Sequence, residues 1–102
     1  MINLFYKFED YIPQKTNLKE RKNGVFLIVM NNIRDIYYLN DTAEFIYQQF
    51  DGIKTISDIF YALVDEYGIE ETMKDEVQQD IVNIIRDFQW QKIVKLKEMK
   101  KL

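Results

Sequence analysis

Apolar positions along the chain follow two rhythms, and the change from one to the other falls at Leu39. Upstream, the short runs "TNLKERK", "VFLIVM" and "IRDIYYL" are separated by Asn23-Gly24 and Asn31-Asn32. Asn-Gly is a strong two-residue hairpin signal, because both central positions of a type I′ turn need positive φ. The pattern predicts an antiparallel meander with strands near 16–22, 25–30 and 33–39. Its central run, Val25 to Met30, is apolar at every position, which predicts cover on both faces. Helices can supply one cover. The leading segment "MINLFYKFEDYI", with Ile2, Leu4, Phe5 and Phe8, is the candidate for the other, or that face docks on a second copy.

Downstream of Leu39 the spacing becomes helical. Asp41 with Glu44 three residues on fits a capping box that opens a first helix, whose stripe is Ala43, Ile46, Tyr47 and Phe50 and whose stop is Gly52. Thr55 with Asp58 repeats the start signal, and Ile59, Phe60, Leu63, Val64 and Tyr67 carry a second helix to Gly68. Thr72 with Asp75 marks a third start, followed by Val77, Ile81, Ile84, Ile85 and Phe88. The third helix is placed to end near Gln91, with Ile93-Val94 extended. Three strands followed by three helices is an α+β arrangement, and its compact form is similar to a winged helix-turn-helix.

Composition narrows the chemistry. The chain has 102 residues, enough for one small core, with 47% apolar and 15% aromatic residues. It has neither cysteine nor histidine, which removes thiol chemistry, the usual zinc and iron–sulfur ligands, and imidazole acid–base catalysis. No metal site and no cofactor is expected. "VFLIVM" is far too short for a membrane span, and the N-terminus lacks a basic region followed by a long hydrophobic core, so a cytoplasmic chain with no membrane partner is expected. The net charge of −3 divides into +2 over residues 1–40, −9 over 41–80 and +4 over 81–102. The tail "KIVKLKEMKKL" reads as a solvated basic terminus, and Glu70-Glu71 with Asp75-Glu76 as charge complementing a helix start. Trp90, between Phe88 and Ile93, reads as a packing anchor and, where exposed, as a fluorescence reporter.

The run "LNDTAEFIYQQFDGIKTISDIF" resembles the central signature of the PqqD family. Leu39, Asn40, Thr42, Ala43, Ile46, Asp51, Gly52, Thr55, Ile56 and Ile59 match its pattern, "YIPQKTN" is similar to its proline-containing entry, and "DIVNIIRDF" with "KIV" to its third helix and apolar ending. The resemblance covers residues 11 to 95. It divides the chain into an N-terminal extension (1–12), a peptide-recognition domain (13–95) and a basic tail (96–102). One departure stands out: Lys92 occupies the place where the family commonly has glycine. Lysine can continue a helix, which leaves open a third helix running past Gln91.

The resemblance implies a non-catalytic recognition element for ribosomally made, post-translationally modified peptides. Such domains take the leader segment of a precursor peptide as an added strand beside the third strand, in the cleft facing the third helix. They present it to a modifying enzyme, in many cases a radical maturase using S-adenosylmethionine. The residues agree with this on physical grounds. Lys19, Glu20, Arg21 and Lys22 discourage pairing at the first strand, whereas the third carries Ile33, Arg34, Asp35, Ile36, Tyr37 and Tyr38, with only two charges. Alternation puts Ile33, Asp35, Tyr37 and Leu39 on one face and Arg34, Ile36 and Tyr38 on the other. On the third helix Val77, Ile81, Ile85 and Phe88 read as core, while Asp80, Ile84 and Asp87 flank the cleft, where the carboxylates would meet a basic residue. A winged-helix DNA-binding regulator is the alternative. Four acids against one arginine over residues 75–91 argue against it and for a chain with no nucleic-acid partner. Catalysis by the chain itself lacks a nucleophile-and-base spacing or a phosphate-cradling glycine loop. A homodimer formed through the third strand or the central strand is left open.

Overall fold

The computed structural model describes residues 4–16, 18–30 and 36–97. The chain runs α1 (Phe5–Phe8), β1 (Ile12–Lys15), β2 (Lys19–Asn23), β3 (Phe26–Met30), β4 (Ile36–Leu39), α2 (Asp41–Gln48), α3 (Ile56–Tyr67), a single 3₁₀ turn (Glu71–Met73), α4 (Lys74–Trp90) and β5 (Val94–Lys97). The predicted meander is present as the antiparallel sheet β2-β3-β4, and the three predicted helices are α2, α3 and α4. A second, two-stranded antiparallel sheet joins β1 to β5, with Ile12 opposite Lys97 and Lys15 opposite Val94.

The first hairpin turns one residue later than the sequence predicts. Asn23 pairs with Phe26, so Gly24 and Val25 are the central residues. Among the described residues only the glycine of this pair has positive φ, at 61°. That matches the II′ turn, which needs glycine at its first central position, rather than I′. The second turn, at Asn31-Asn32, lies outside the described residues.

Helix starts follow the capping logic with two shifts. α2 is capped by Asn40, whose Oδ1 accepts a hydrogen bond from the Ala43 N–H at 2.9 Å, and not by Asp41. Asp41 becomes a first-turn acid facing the positive helix end. Glu44 accepts from Lys22 Nζ at 2.6 Å and ties α2 to β2. α3 begins with the complete Thr55–Asp58 capping box and stops at Gly68 with φ 59°, as expected. α4 has no side-chain cap at Thr72. The preceding 3₁₀ turn closes through Met73 N–H to the Glu70 carbonyl at 2.9 Å and delivers the chain into the helix. α2 ends at Gln48, before Gly52. That glycine instead brings the α2–α3 connection onto β1, where its N–H donates to the Pro13 carbonyl at 3.2 Å.

α4 ends where glycine would end it, but on lysine. Lys92 has φ 60°, its N–H donates to the Gln89 carbonyl at 3.1 Å, and the Ile93 N–H reaches back to the Phe88 carbonyl at 2.8 Å. This paired closure satisfies helix carbonyls that would otherwise lack partners. The helix therefore does not run past Gln91, and the chain turns into β5.

The core lies between the inner face of the sheet and the helices. Leu27 and Val29 of β3, Leu39 of β4, Ile46 and Tyr47 of α2, Ile59, Phe60 and Leu63 of α3, and Ile81, Ile85 and Phe88 of α4 are buried. Tyr47, Phe50 and Phe88 meet edge-to-face, with centroids 5.8–6.2 Å apart. The expectation that both faces of the central strand are covered fails on its outer side. Phe26 is exposed, and Ile28 and Met30 are only half-buried. The leading segment goes elsewhere: α1 packs on α4, and Phe5 is buried against Phe60 with ring centroids 5.2 Å apart.

Candidate functional site

β4 lies at one margin of the three-stranded sheet, and among the described residues no strand pairs with its outer edge. The opposite margin, β2, is exposed along its whole length and carries three basic residues and one acid. β4 has no charge in Ile36–Leu39. Its pleat sends Leu39 into the core and leaves Tyr37 half-buried on the same face, while Ile36 and Tyr38 stay 51% and 65% exposed. Of the two edge strands, β4 is thus the one that carries exposed apolar side chains.

Between β4 and α4 the surface sinks into a groove of about 400 Å³. Ile36, Tyr37, Tyr38 and Leu39 line it from β4, Ala43 from α2, and Ile84, Asp87, Phe88 and the cap residue Gln91 from α4. Residues 84, 87 and 91 are three and four apart and so fall on one helix face, adjacent to the buried stripe of Ile81, Ile85 and Phe88 that holds α4 on the core. Phe88 meets Tyr47 and Phe50 edge-to-face in the core.

The structure brings together five of the nine predicted residues: Ile36, Tyr37, Tyr38, Ile84 and Asp87. Asp80, one turn earlier on α4, lies outside the groove. It lines a neighbouring depression of about 200 Å³ with Thr42, Leu63, Tyr67 and Val77, and Ile84 borders both. Ile33, Arg34 and Asp35 lie outside the described residues. Sequence reasoning missed Ala43 and Gln91 and assigned Leu39 and Phe88 to the core alone. Carrying the helical stripe of 84 and 87 one turn further reaches Gln91; nothing in the sequence marks Ala43 as a groove residue. Trp90 is not a packing anchor. It is 88% exposed, because Phe88 is buried and two residues along a helix turn a side chain to the opposite side.

The groove offers contact and charge rather than reactive groups. Asp87 is its one carboxylate, and it is exposed. Among the described residues no three potential metal ligands gather. Three groups with shifted ionisation lie elsewhere. Burial, then the hydrogen bond to Glu20, pushes the Tyr47 phenol well above the usual tyrosine range. The Lys54 ammonium, with the backbone N–H groups of Lys54 and Ile53, holds Asp51 well below the usual carboxylate range. The hydrogen bond to Glu71 raises Lys74. Tyr47 and Asp51 are structural ties: Lys15 sits 4.5 Å above the Tyr47 ring and donates to Glu20 and Gln48, joining β1, β2 and α2.

Fold and groove together define a small α+β domain in which one sheet margin opens onto an apolar cleft bounded by a helix. The family model described as coenzyme PQQ synthesis protein D (PqqD) matches residues 27–94, from β3 through the first residue of β5, and the chain belongs to the PqqD family. These are chaperones of pathways that make ribosomal modified peptides and PQQ; they are generally non-catalytic, and membership implies binding of a precursor peptide and a modifying enzyme. No curated protein and no solved structure matches the chain. No helix among the described residues is long and apolar enough to cross a membrane.

Proposed function

We propose that the chain captures the leader segment of a ribosomal precursor peptide as an extended strand against β4, over the groove facing α4, and delivers it to a modifying enzyme. One observation carries this reading: of the two sheet margins that no strand pairs among the described residues, the uncharged one, β4, is the margin that opens onto the apolar groove. In strand addition, main-chain hydrogen bonds give affinity and pockets for alternate side chains give register, so no reactive side chain is needed. Side chains of the leader that point inward would rest on Leu39, Ile84 and Phe88. A basic residue of the leader would pair with Asp87 at the rim; Asp80 could meet only a residue that continues beyond the groove. The resemblance to the family suggests a radical maturase using S-adenosylmethionine as the partner, and the modifying chemistry then belongs to that enzyme.

The DNA-binding alternative draws less support. α4 exposes Asp75, Glu76, Asp80 and Asp87 against Arg86 and the half-buried Lys74, a balance that repels phosphate. The discriminating experiment titrates the leader and core halves of the precursor encoded beside this chain while following emission of Trp90, the immediate neighbour of groove residue Gln91. Saturable binding of the leader is expected. Binding of the core without the leader would overturn the proposal.

A further inference from the structure

An added strand presents its side chains alternately to two faces of the sheet. One set enters the groove. The other set would lie beside Ile36 and Tyr38 on the outer face, and that face is apolar well beyond β4. Tyr38 stands opposite Ile28 and Ile36 opposite Met30, and Phe26 meets the Tyr38 ring edge-on with centroids 6.4 Å apart. Even with these neighbours, Tyr38 is 65%, Ile36 51% and Phe26 43% exposed. Contiguous exposed apolar surface of this kind marks an interaction site in a monomer. It stops at β2, where Lys19 and Arg21 stand opposite Met30 and Ile28. The outer apolar ground is therefore confined to the β3–β4 half, the half that an incoming strand would adjoin.

A half-solvated sheet normally selects strands that alternate apolar with polar residues. This edge differs, because among the described residues both flanks of the position beside β4 are apolar. We infer that the chain selects peptides apolar on both faces, with β-branched or aromatic residues at consecutive positions opposite Ile36–Leu39, and that Ile36 and Tyr38 are the residues that set this specificity. The inference rests on strand addition at β4 and names the class of peptide that site takes. Each cross-strand pair with Ile36 or Tyr38 contributes about a 1.4- to fivefold gain in affinity over alanine at the same position.

The test pans a library of random decapeptides against the full chain and, in parallel, against a variant carrying Ile36→Ser and Tyr38→Ser. Peptides enriched on the parent should carry runs of consecutive apolar residues. Those enriched on the variant should keep apolar residues at every second position and accept polar residues between them. A residue with a merely structural role would weaken all peptides alike and leave the pattern unchanged. Strict alternation of apolar and polar positions on the parent would overturn the inference while leaving strand addition intact. Enrichment of peptides that protect no β4 amide from exchange, or enrichment of none, would overturn both.

Discussion

Replacing Lys92 by glycine should stabilise the fold. Lys92 is the one non-glycine residue with positive φ among those described, and its conformation closes α4 and sends the chain into β5. The position is over-determined. Ile93, immediately after it, is fully buried, and Thr16 Oγ1 donates to the Lys92 carbonyl at 2.8 Å. The neighbours hold a backbone shape that a residue with a Cβ adopts at a cost of about 1–2 kcal/mol. Glycine removes that cost and adds about 0.5–1 kcal/mol of backbone entropy lost on folding. The net gain is about 0.5–1 kcal/mol, which for a domain of this size corresponds to a rise in Tm of about 3–6 °C. Thermal unfolding followed by far-UV circular dichroism measures it, with Lys92→Val as the control whose β-branched side chain should lower Tm. A Lys92→Gly protein melting at or below the parent, with a neutral Lys92→Val, would refute the left-handed closure.

Ile36→Asp and Tyr38→Asp alter exposed strand positions, so each should cost no more than about 1–2 kcal/mol, from strand propensity and, for Tyr38, from its edge-on contact with Phe26. Each places a charge where an apolar contact is proposed, a penalty of about 1–3 kcal/mol that calorimetry should read as roughly a five- to hundredfold loss of leader affinity; loss of cooperative unfolding would mean that interior was mistaken for groove. Asp51 is held below its ordinary range, so as pH falls the unfolded chain takes up the proton first, and the stabilisation present above about pH 4 fades below it. Asp51→Asn should flatten the fall of Tm between about pH 4 and 2; an unchanged slope would contradict the Lys54 tie. Tyr47 is held above its ordinary range, so above about pH 10 the unfolded chain releases its phenolic proton first and stability falls as pH rises. Tyr47→Phe should reduce that alkaline loss in urea melts between about pH 9 and 11, and an identical loss would refute it.

Local signals in the sequence were strong where chemistry acts over three or four residues. The Thr55–Asp58 box, the Gly68 stop and the alternation that separates Ile36 and Tyr38 from Tyr37 and Leu39 all appear in the structure where the residues place them. One-residue ambiguities were harder, because neighbours compete for the same role. Asn40 takes the cap from Asp41, and Gly24-Val25 takes the turn from Asn23-Gly24. Long-range pairing left no local trace: β1 and β5 are four residues each, far apart in the chain, and one of them contains a proline. Lys92 shows the converse case, in which tertiary contacts impose a conformation that the residue itself disfavours. At the groove, helical periodicity puts Ile84 and Asp87 on the face of α4 that lines it. Asp80 belongs to the same stripe, but one turn earlier on α4 it lines the neighbouring depression instead.

The most direct test of strand addition at β4 is amide hydrogen exchange of the full chain with and without saturating leader peptide, resolved to residues 36–39. Strand addition predicts slower exchange within 36–39 on binding and unchanged rates in β2. Saturable leader binding that leaves the exchange of 36–39 unchanged would contradict it.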